Sequence, residues 1–253
     1  MSESPLTGQP GQLQNTQEKS AANLYEQCFD TCPDPLSVKL DNFPKYCRLQ
    51  ALTRFMVRHE LFRRVVGVKG SIVECGVFRG GGLMAWANLS AILEPANFMR
   101  RIYGFDTFEG FPSTSEADRS KHNRIATGQL ASSSHEELKT LIQAFDQNRY
   151  LGHMPKVELI KGDAGETIPR FVQEHPHLAV ALLYMDFDLY EPTLVALEHF
   201  LPRMPRGAIL AFDELDHPAW PGETLAALHK VGLRNLRLRR FNYDPYVAYA
   251  RLE

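Results

Sequence analysis

Short runs of β-branched and apolar residues alternate along this chain with amphipathic stretches of helical period. The runs "GSIVECG" (70–76), "RIYGFD" (101–106), "KVELIKGD" (156–163), "LAVALLYMD" (178–186) and "GAILAFDE" (207–214) predict strands. The fourth has no polar face, so it predicts a parallel strand buried on both sides. Between them, "GGGLMAWANLSAIL" (80–93), "SHEELKTLIQAF" (134–145), "AGETIPRFVQEH" (164–175), "EPTLVALEHFLP" (191–202) and "GETLAALHKVG" (222–232) predict helices. Ser134 is expected as an N-cap with Glu137 in the capping-box position. Strand and helix in turn mean a doubly wound α/β sheet with helices on both faces. "LRNLRLRRF" (233–241) and "PYVAYARL" (245–252) follow with no helix between them and predict an antiparallel pair closing one edge.

Upstream, "YCRLQALTRFMVRHELFRRVV" (46–66) predicts an amphipathic helix, with Leu49, Leu52, Phe55, Met56, Leu61 and Phe62 inward and the arginines on a solvated face. Residues 1–20, rich in Gln, Ser, Pro and Gly, read as a loosely ordered tail, and 21–66 as a helical N-terminal cap segment. The main domain is expected over 67–253, with the polar insertion 107–134 as a lid.

Composition narrows the function. Hydrophobic residues make up 44% and charged residues 23%, ordinary for a globular chain, and the net charge of -2 provides no footprint for nucleic acid or an anionic membrane. The start carries no apolar stretch of the signal-peptide kind and no run is long enough to cross a bilayer, so a cytoplasmic protein is expected. Cys28, Cys32, Cys47 and Cys75 complete no zinc pattern and read as reduced thiols.

Ligands of an open doubly wound sheet bind at the carboxyl ends of its strands. There the sequence places Glu74, Asp106, Asp163, Asp186 with Asp188, and Asp213 with Glu214: every strand of the alternating set ends in an acid. The turn "VECGVFRGGG", with Gly76, Arg79 and Gly80, lets backbone approach a ligand, but it is neither a P-loop nor a clean dinucleotide fingerprint. Asp106 suits the two hydroxyls of a ribose. Ribose recognition without a diphosphate suits S-adenosylmethionine, and Arg79 is a candidate for its carboxylate. Asp186, Asp213 and Glu214 at neighbouring strand ends would repel one another. An all-oxygen donor set suits Mg²⁺, or Mn²⁺ or Ca²⁺. In "YMDFDLYEP" (184–192), period 2 would turn Asp186 and Asp188 the same way. His217, just beyond the acid pair, and His135 are alternative bases, while Tyr190 and Trp220 could wall the site.

Taken together, "VECGVFRGGG", "GFDTFEGFP", "KGDAGETIP", "MDFDLYEPTLVALEHFLPRMPRGAILAFDE" and "PGE" resemble, in order and spacing over about residues 46–232, the macrocin-O-methyltransferase family. That resemblance implies a class I methyltransferase (Rossmann-like) fold of seven strands, the last antiparallel, and an S-adenosylmethionine-dependent, metal-assisted O-methyltransferase of sugar hydroxyls in antibiotic biosynthesis. It implies Glu74 and Gly76 along the methionine part of the cofactor, Gly80 in the same turn, Asp106 on the ribose and Asp163 near the adenine. It also implies Asp186, Asp213 and Glu214 on the metal, and Asp188 as general base. The family carries two aspartates at the last metal pair, so Glu214 is a departure. It further implies oligomer contacts through the N-terminal segment, hence a homo-oligomer acting on a sugar-containing small molecule. Other acceptors on this fold are a catechol or phenol; a dinucleotide-dependent oxidoreductase and a non-catalytic binding protein are the remaining alternatives.

Overall fold

The computed structural model describes residues 15–253. Most of the expected tail, residues 1–14, lies outside the described residues. Residues 16–20 are instead the start of α1 (Thr16–Thr31), held by a capping box in which Asn15 and Glu18 bond each other's backbone N–H. α2 (Leu36–Asp41) follows, and neither helix buries a single residue. Leu24, Leu36, Leu40 and Phe43 are exposed along this arm.

α3 (Leu49–Val65) is the expected amphipathic helix, but its inward face is rotated from the expected one. Val57, Arg58, Leu61, Phe62 and Val65 are buried, whereas Leu49, Phe55 and Met56 face outward. After it come β1 (Ser71–Cys75), α4 (Gly81–Leu93), β2 (Ile102–Asp106), α5 (His135–Gln147), β3 (Val157–Lys161), α6 (Ala164–Glu174), β4 (Val180–Met185), α7 (Tyr190–Phe200), β5 (Ile209–Phe212), α8 (Gly222–Lys230), β6 (Arg239–Arg240) and β7 (Ala248–Arg251).

The seven strands lie in the order β3-β2-β1-β4-β5-β7-β6, with β1 to β5 mutually parallel and β7 antiparallel to both its neighbours. The final pair is antiparallel and closes one edge as expected, with β7 lying between β5 and β6. Two-residue β6 is the edge strand, and its arginines deter further pairing. The chain reverses direction across the sheet between β1 and β4, which puts the switch-point crevice above Gly76 and Asp186.

Period 2 divides the strand side chains between two cores. Ile72, Leu182, Tyr184 and Ile209 pack with α3 and α4 on one face. Val73, Phe105, Leu183, Met185 and Phe212 pack with α6, α7 and α8 on the other. Each fully buried leucine or phenylalanine contributes about 1.5–3 kcal/mol relative to exposure, so the sheet is held from both sides and its strand ends form a rigid rim. α3 is part of that packing. Among the described residues no helix is long and apolar enough to cross a membrane, and the four cysteines are free thiols.

Candidate active site

The insertion 107–134 is folded down onto the rim. Phe111 packs edge-on to Trp220 at 6.0 Å, in a small cluster with Leu189 and Ala219. Asp118, 2% exposed, accepts from the backbone N–H of Tyr190 at 2.7 Å and so caps the start of α7. Ser120 donates to the Pro218 carbonyl at 2.6 Å. The expected cap at Ser134 is not made. Its hydroxyl donates to the carbonyl of Phe78 at 2.6 Å, tying α5 to the glycine turn instead.

Under this roof lies a cavity of about 850 Å³, at the upper end of the roughly 300–1,000 Å³ common for small-molecule sites. Gly76, Asp106, Asp163, Asp186, Asp188, Asp213, Glu214 and His217 all line it. Strand order fixes their sequence across the rim: Asp163 beyond β3, Asp106 at the end of β2, Gly76 beyond β1, the Asp186–Asp188 pair beyond β4, and Asp213 with Glu214 beyond β5. The roof contributes Phe111, Pro112 and Leu130. This polar insertion therefore turns its few apolar side chains inward.

Five sequence candidates, Glu74, Arg79, Gly80, His135 and Tyr190, do not line the cavity. Glu74, 1% exposed, lies within the sheet, where its Oε1 accepts from Trp86 Nε1 at 3.3 Å and from Arg58 Nη2 at 3.4 Å. Arg79 is exposed, its guanidinium 5.2 Å from the Phe78 ring, and Gly80 caps α4 in the left-handed region. His135 pairs with Glu136 and packs on Phe108 rather than facing the acids.

Asp106 does more than wait for a ligand. Its Oδ2 accepts from the N–H groups of Val77 and Phe78 at 2.8 and 2.7 Å, and its Oδ1 from Phe108 at 2.6 Å. A carboxylate has about four lone-pair sites, so roughly one is left for a hydroxyl. Asp163 caps α6, accepting from Gly165 N–H at 2.7 Å through Oδ1 alone.

Asp186 and Asp188 both line the cavity, but strand period 2 is not the reason. β4 ends at Met185, and Asp188 adopts φ 63°, in the left-handed region. Phe78, Phe108, Asp188 and Asp216, four of the six non-glycine residues with positive φ among the described residues, all sit in the loops beyond β1, β2, β4 and β5. Backbone strain is concentrated at this rim, as at many functional sites.

Two residues of the site were not foreseen. Arg54 Nη1 lies 3.2 Å from Asp213 Oδ2, and Arg58, 7% exposed, reaches both Glu74 and, at 3.8 Å, Asp186. They are four residues apart, so one face of α3 delivers both guanidiniums to the acids. Arg58 also rests 4.8 Å from the centre of the Tyr184 ring, and the Tyr184 hydroxyl donates to Asp213 Oδ1. Both oxygens of Asp213 are thus engaged. The signal available in the sequence was the 54/58 spacing continuing into Leu61, Phe62 and Val65.

Crowding governs the protonation of the remaining acids. Burial, then the charge of Asp213, pushes Asp188 up to about 7 and Glu214 up to about 9. Asp186 is raised by the same causes. Glu223 is fully buried and raised by burial, and its Oε2 accepts from the N–H of Glu214 at 3.1 Å. Burial lowers His217, whose Nδ1 accepts from Ala219 N–H at 3.2 Å. Among the described residues no three acid, histidine or cysteine side chains are gathered as a ready metal cage. The donor chemistry nevertheless fits a hard cation: every group is a carboxylate, and Glu214 Oε2 is buried without a hydrogen-bond partner, with His217 Nδ1 3.7 Å away.

The profile of the macrocin-O-methyltransferase (TylF) family matches residues 48–229. The chain is 30% identical over 153 residues to the 8-demethyl-8-(2,3-dimethoxy-alpha-L-rhamnosyl)-tetracenomycin-C 4'-O-methyltransferase of Streptomyces olivaceus, covering 58% of this chain and 54% of that protein. It is 27% identical over 155 residues to the mycinamicin III 3''-O-methyltransferase of Micromonospora griseorubida, covering 60% and 58%. The match spans somewhat over half the length of these curated relatives. The crystal structure of CalS11, a calicheamicin methyltransferase, superposes with a TM-score of 0.91 at 36% identity over 99% of both chains. The apo structure of CalS11, described as a TDP-rhamnose 3'-O-methyltransferase, gives a TM-score of 0.83 at 33% identity, covering 94% and 95%.

Proposed function

Because this chain belongs to the macrocin-O-methyltransferase family, we propose that it transfers the methyl group of S-adenosylmethionine to a sugar hydroxyl. The acceptor is a deoxysugar, nucleotide-linked or already attached to a natural product. The observation that carries this reading is the continuous cavity across the strand ends, with Asp163 and Asp106 toward one side and the Asp186, Asp188, Asp213 and Glu214 group toward the other. Relatives that act on rhamnose-containing molecules support the acceptor class.

In this reading the free lone pair of Asp106 takes a ribose hydroxyl and Asp163 the adenine edge. Gly76 borders the methionine part, its Cβ-free side filled by the Asp186 carbonyl. The cofactor, when bound, supplies the sulfonium methyl. Asp188 lines the acceptor side and takes the hydroxyl proton as the oxygen attacks. His217 is the poorer base: with Nδ1 accepting from Ala219, the proton of the neutral ring rests on Nε2, a donor. We assign His217 to hold an acceptor oxygen by that N–H. The roof residues Phe111 and Leu130 exclude water and suit the methyl group of a deoxysugar.

Asp186, Asp213 and Glu214 would hold a divalent cation, Mg²⁺, Mn²⁺ or Ca²⁺, once Arg54 withdraws from Asp213. Such a cation, when bound, supplies Lewis acidity that makes the acceptor hydroxyl easier to deprotonate. The exposed apolar side chains of α1 and α2 support a homo-oligomer built through the arm. Light scattering on the protein and on its Leu36→Glu/Leu40→Glu variant tests this, with loss of the assembly expected.

The apolar roof also favours a second reading, a catechol or phenolic acceptor. One experiment separates the two. The protein is incubated with S-adenosylmethionine, Mg²⁺ and, in turn, TDP-rhamnose, a rhamnosyl glycoside and catechol, and methylated product is detected by mass spectrometry. Sugar methylation that is abolished in Asp188→Asn, with S-adenosylhomocysteine affinity retained, is expected. Methylation of catechol alone, or of no acceptor, overturns the sugar reading; an active Asp188→Asn removes Asp188 as base.

A further inference from the structure

A second, smaller cavity opens at the far end of the sheet. Its volume is about 310 Å³, and its lining is dominated by Arg64, Arg237, Arg239 and Arg251, over Ile209 and Tyr249, with Glu253 as the one acid. Ile209 begins β5 and pairs with Arg251, while Asp213 follows the other end of the same strand. The two cavities are therefore separated by the length of β5, about 13 Å at the usual rise per residue.

Four exposed arginines line this cavity on a chain whose net charge is -2. No acid occurs between Glu223 and Asp244, while arginine stands at 234, 237, 239 and 240. Arg239 pairs across the ladder with Tyr249. Continuing that register by two residues brings Arg237 opposite Arg251, a like-charge juxtaposition that destabilises a strand pair. Arg64 arrives from α3, its guanidinium 5.2 Å from the Tyr249 ring centre and bonded to Glu60 at 2.9 Å. Arg237, Arg239 and Arg251 have no ion pair or side-chain hydrogen bond among the described residues. Arg251 packs where a Cβ on Gly207 would lie 3.3 Å from its Nη2, so the chain leaves room for it. Protection of the sheet edge explains arginines on β6. It does not explain Arg251 on the interior strand β7, nor Arg64 brought in from a helix.

We propose that this cavity is a binding site for the phosphoryl group of a small phosphate ester, distinct from the methyl-transfer site. Planar guanidinium forks match phosphate oxygens two at a time. A phosphate monoester, which carries a charge of about -1.5 to -2 at neutral pH, supplies a counter-charge to arginines of which only Arg64 has an acidic partner. The volume lies near the roughly 300 Å³ lower bound for small-molecule sites, leaving space beyond the phosphoryl group for an organic remainder against Ile209 and Tyr249.

Isothermal titration of the full chain with inorganic phosphate and with glucose 1-phosphate tests the assignment. One saturable site is expected, tighter for the ester and weakened by added salt. The Arg237→Gln/Arg239→Gln/Arg251→Gln variant should lose at least about tenfold in affinity, with S-adenosylhomocysteine binding unchanged. The single Arg251→Gln variant should show a smaller loss of the same sign, and serves if the triple variant does not fold. Absence of a saturable site, binding of inorganic phosphate but not the ester, or equal affinity in a folded variant would overturn the proposal.

Discussion

The glycine at 76 offers a sharp test of how the rim positions its acids. Its φ is +101°, and a Cβ there would lie 1.9 Å from the carbonyl oxygen of Asp186. Gly76→Ala must therefore part the ends of β1 and β4, moving that carbonyl about 1.5 Å to reach ordinary contact distance, and a misplacement of about 1 Å at a reacting group can cost about 10²-fold in rate. The unfavourable backbone adds about 1–3 kcal/mol of strain, or about 2–12 °C in melting temperature for a chain of this size. Gly81→Ala is the matched control, because a Cβ at Gly81 meets nothing within 4 Å. Methyl transfer by mass spectrometry, S-adenosylhomocysteine affinity by calorimetry and thermal unfolding should be measured on both variants. Gly76→Ala is expected to lose about two orders of magnitude in kcat and to melt lower, with Gly81→Ala close to the parent. A Gly76→Ala variant with parental kcat and melting temperature would refute the close approach of these two strand ends.

Other substitutions probe the charges of the site. Arg54→Met should free Asp213 Oδ2 and tighten Mn²⁺ binding by about fivefold, since the half-exposed Arg54 pair is worth about 1 kcal/mol; electron paramagnetic resonance titration reads this directly, and weaker binding would contradict the competition. Arg58→Met strips the buried counter-charge from Glu74 and should cost about 3–5 kcal/mol in urea unfolding. Lys156 bears on alkaline stability: burial lowers it to about 8, whereas the unfolded chain holds its proton to about 10.5. The unfolded state therefore binds more protons between those values, and stability should rise with pH across that window. Lys156→Met should remove about 2–3 kcal/mol of that rise; the same slope in both proteins would contradict it.

The sheet was legible because its strands are short apolar runs and its ligand end is marked by acids. Asp106, Asp163, Asp186 and Asp213 were recognised as rim residues from that pattern, and they do line one cavity. What the pattern could not carry was conformation beyond the strand ends. Period 2 holds only while the backbone stays extended, and the chain leaves β4 one residue before Asp186. Arg54 and Arg58 escaped notice because amphipathicity assigns charge to solvent by default. A helix packed over buried acids reverses that rule, since uncompensated carboxylates cost more than buried guanidiniums. Ser134 misled in a similar way: its N-cap sequence is real, but the Phe78 carbonyl competes for the hydroxyl. The insertion's composition marked it only as a polar lid, while its fold turns the few apolar residues that composition averages away toward the cavity.

The helix that neutralises the rim is also the one that carries the unpacked arm. Arg48 caps α3 and borders the large cavity, and the arm ends just before it. If another copy grips the arm and thereby shifts α3, the free energy gained reappears, with equal size, in the affinity of the rim for whatever Arg54 and Arg58 balance there. Assembly and ligand occupancy at this site would then be two readings of one equilibrium. A dilution series with and without cofactor and cation would measure one through the other.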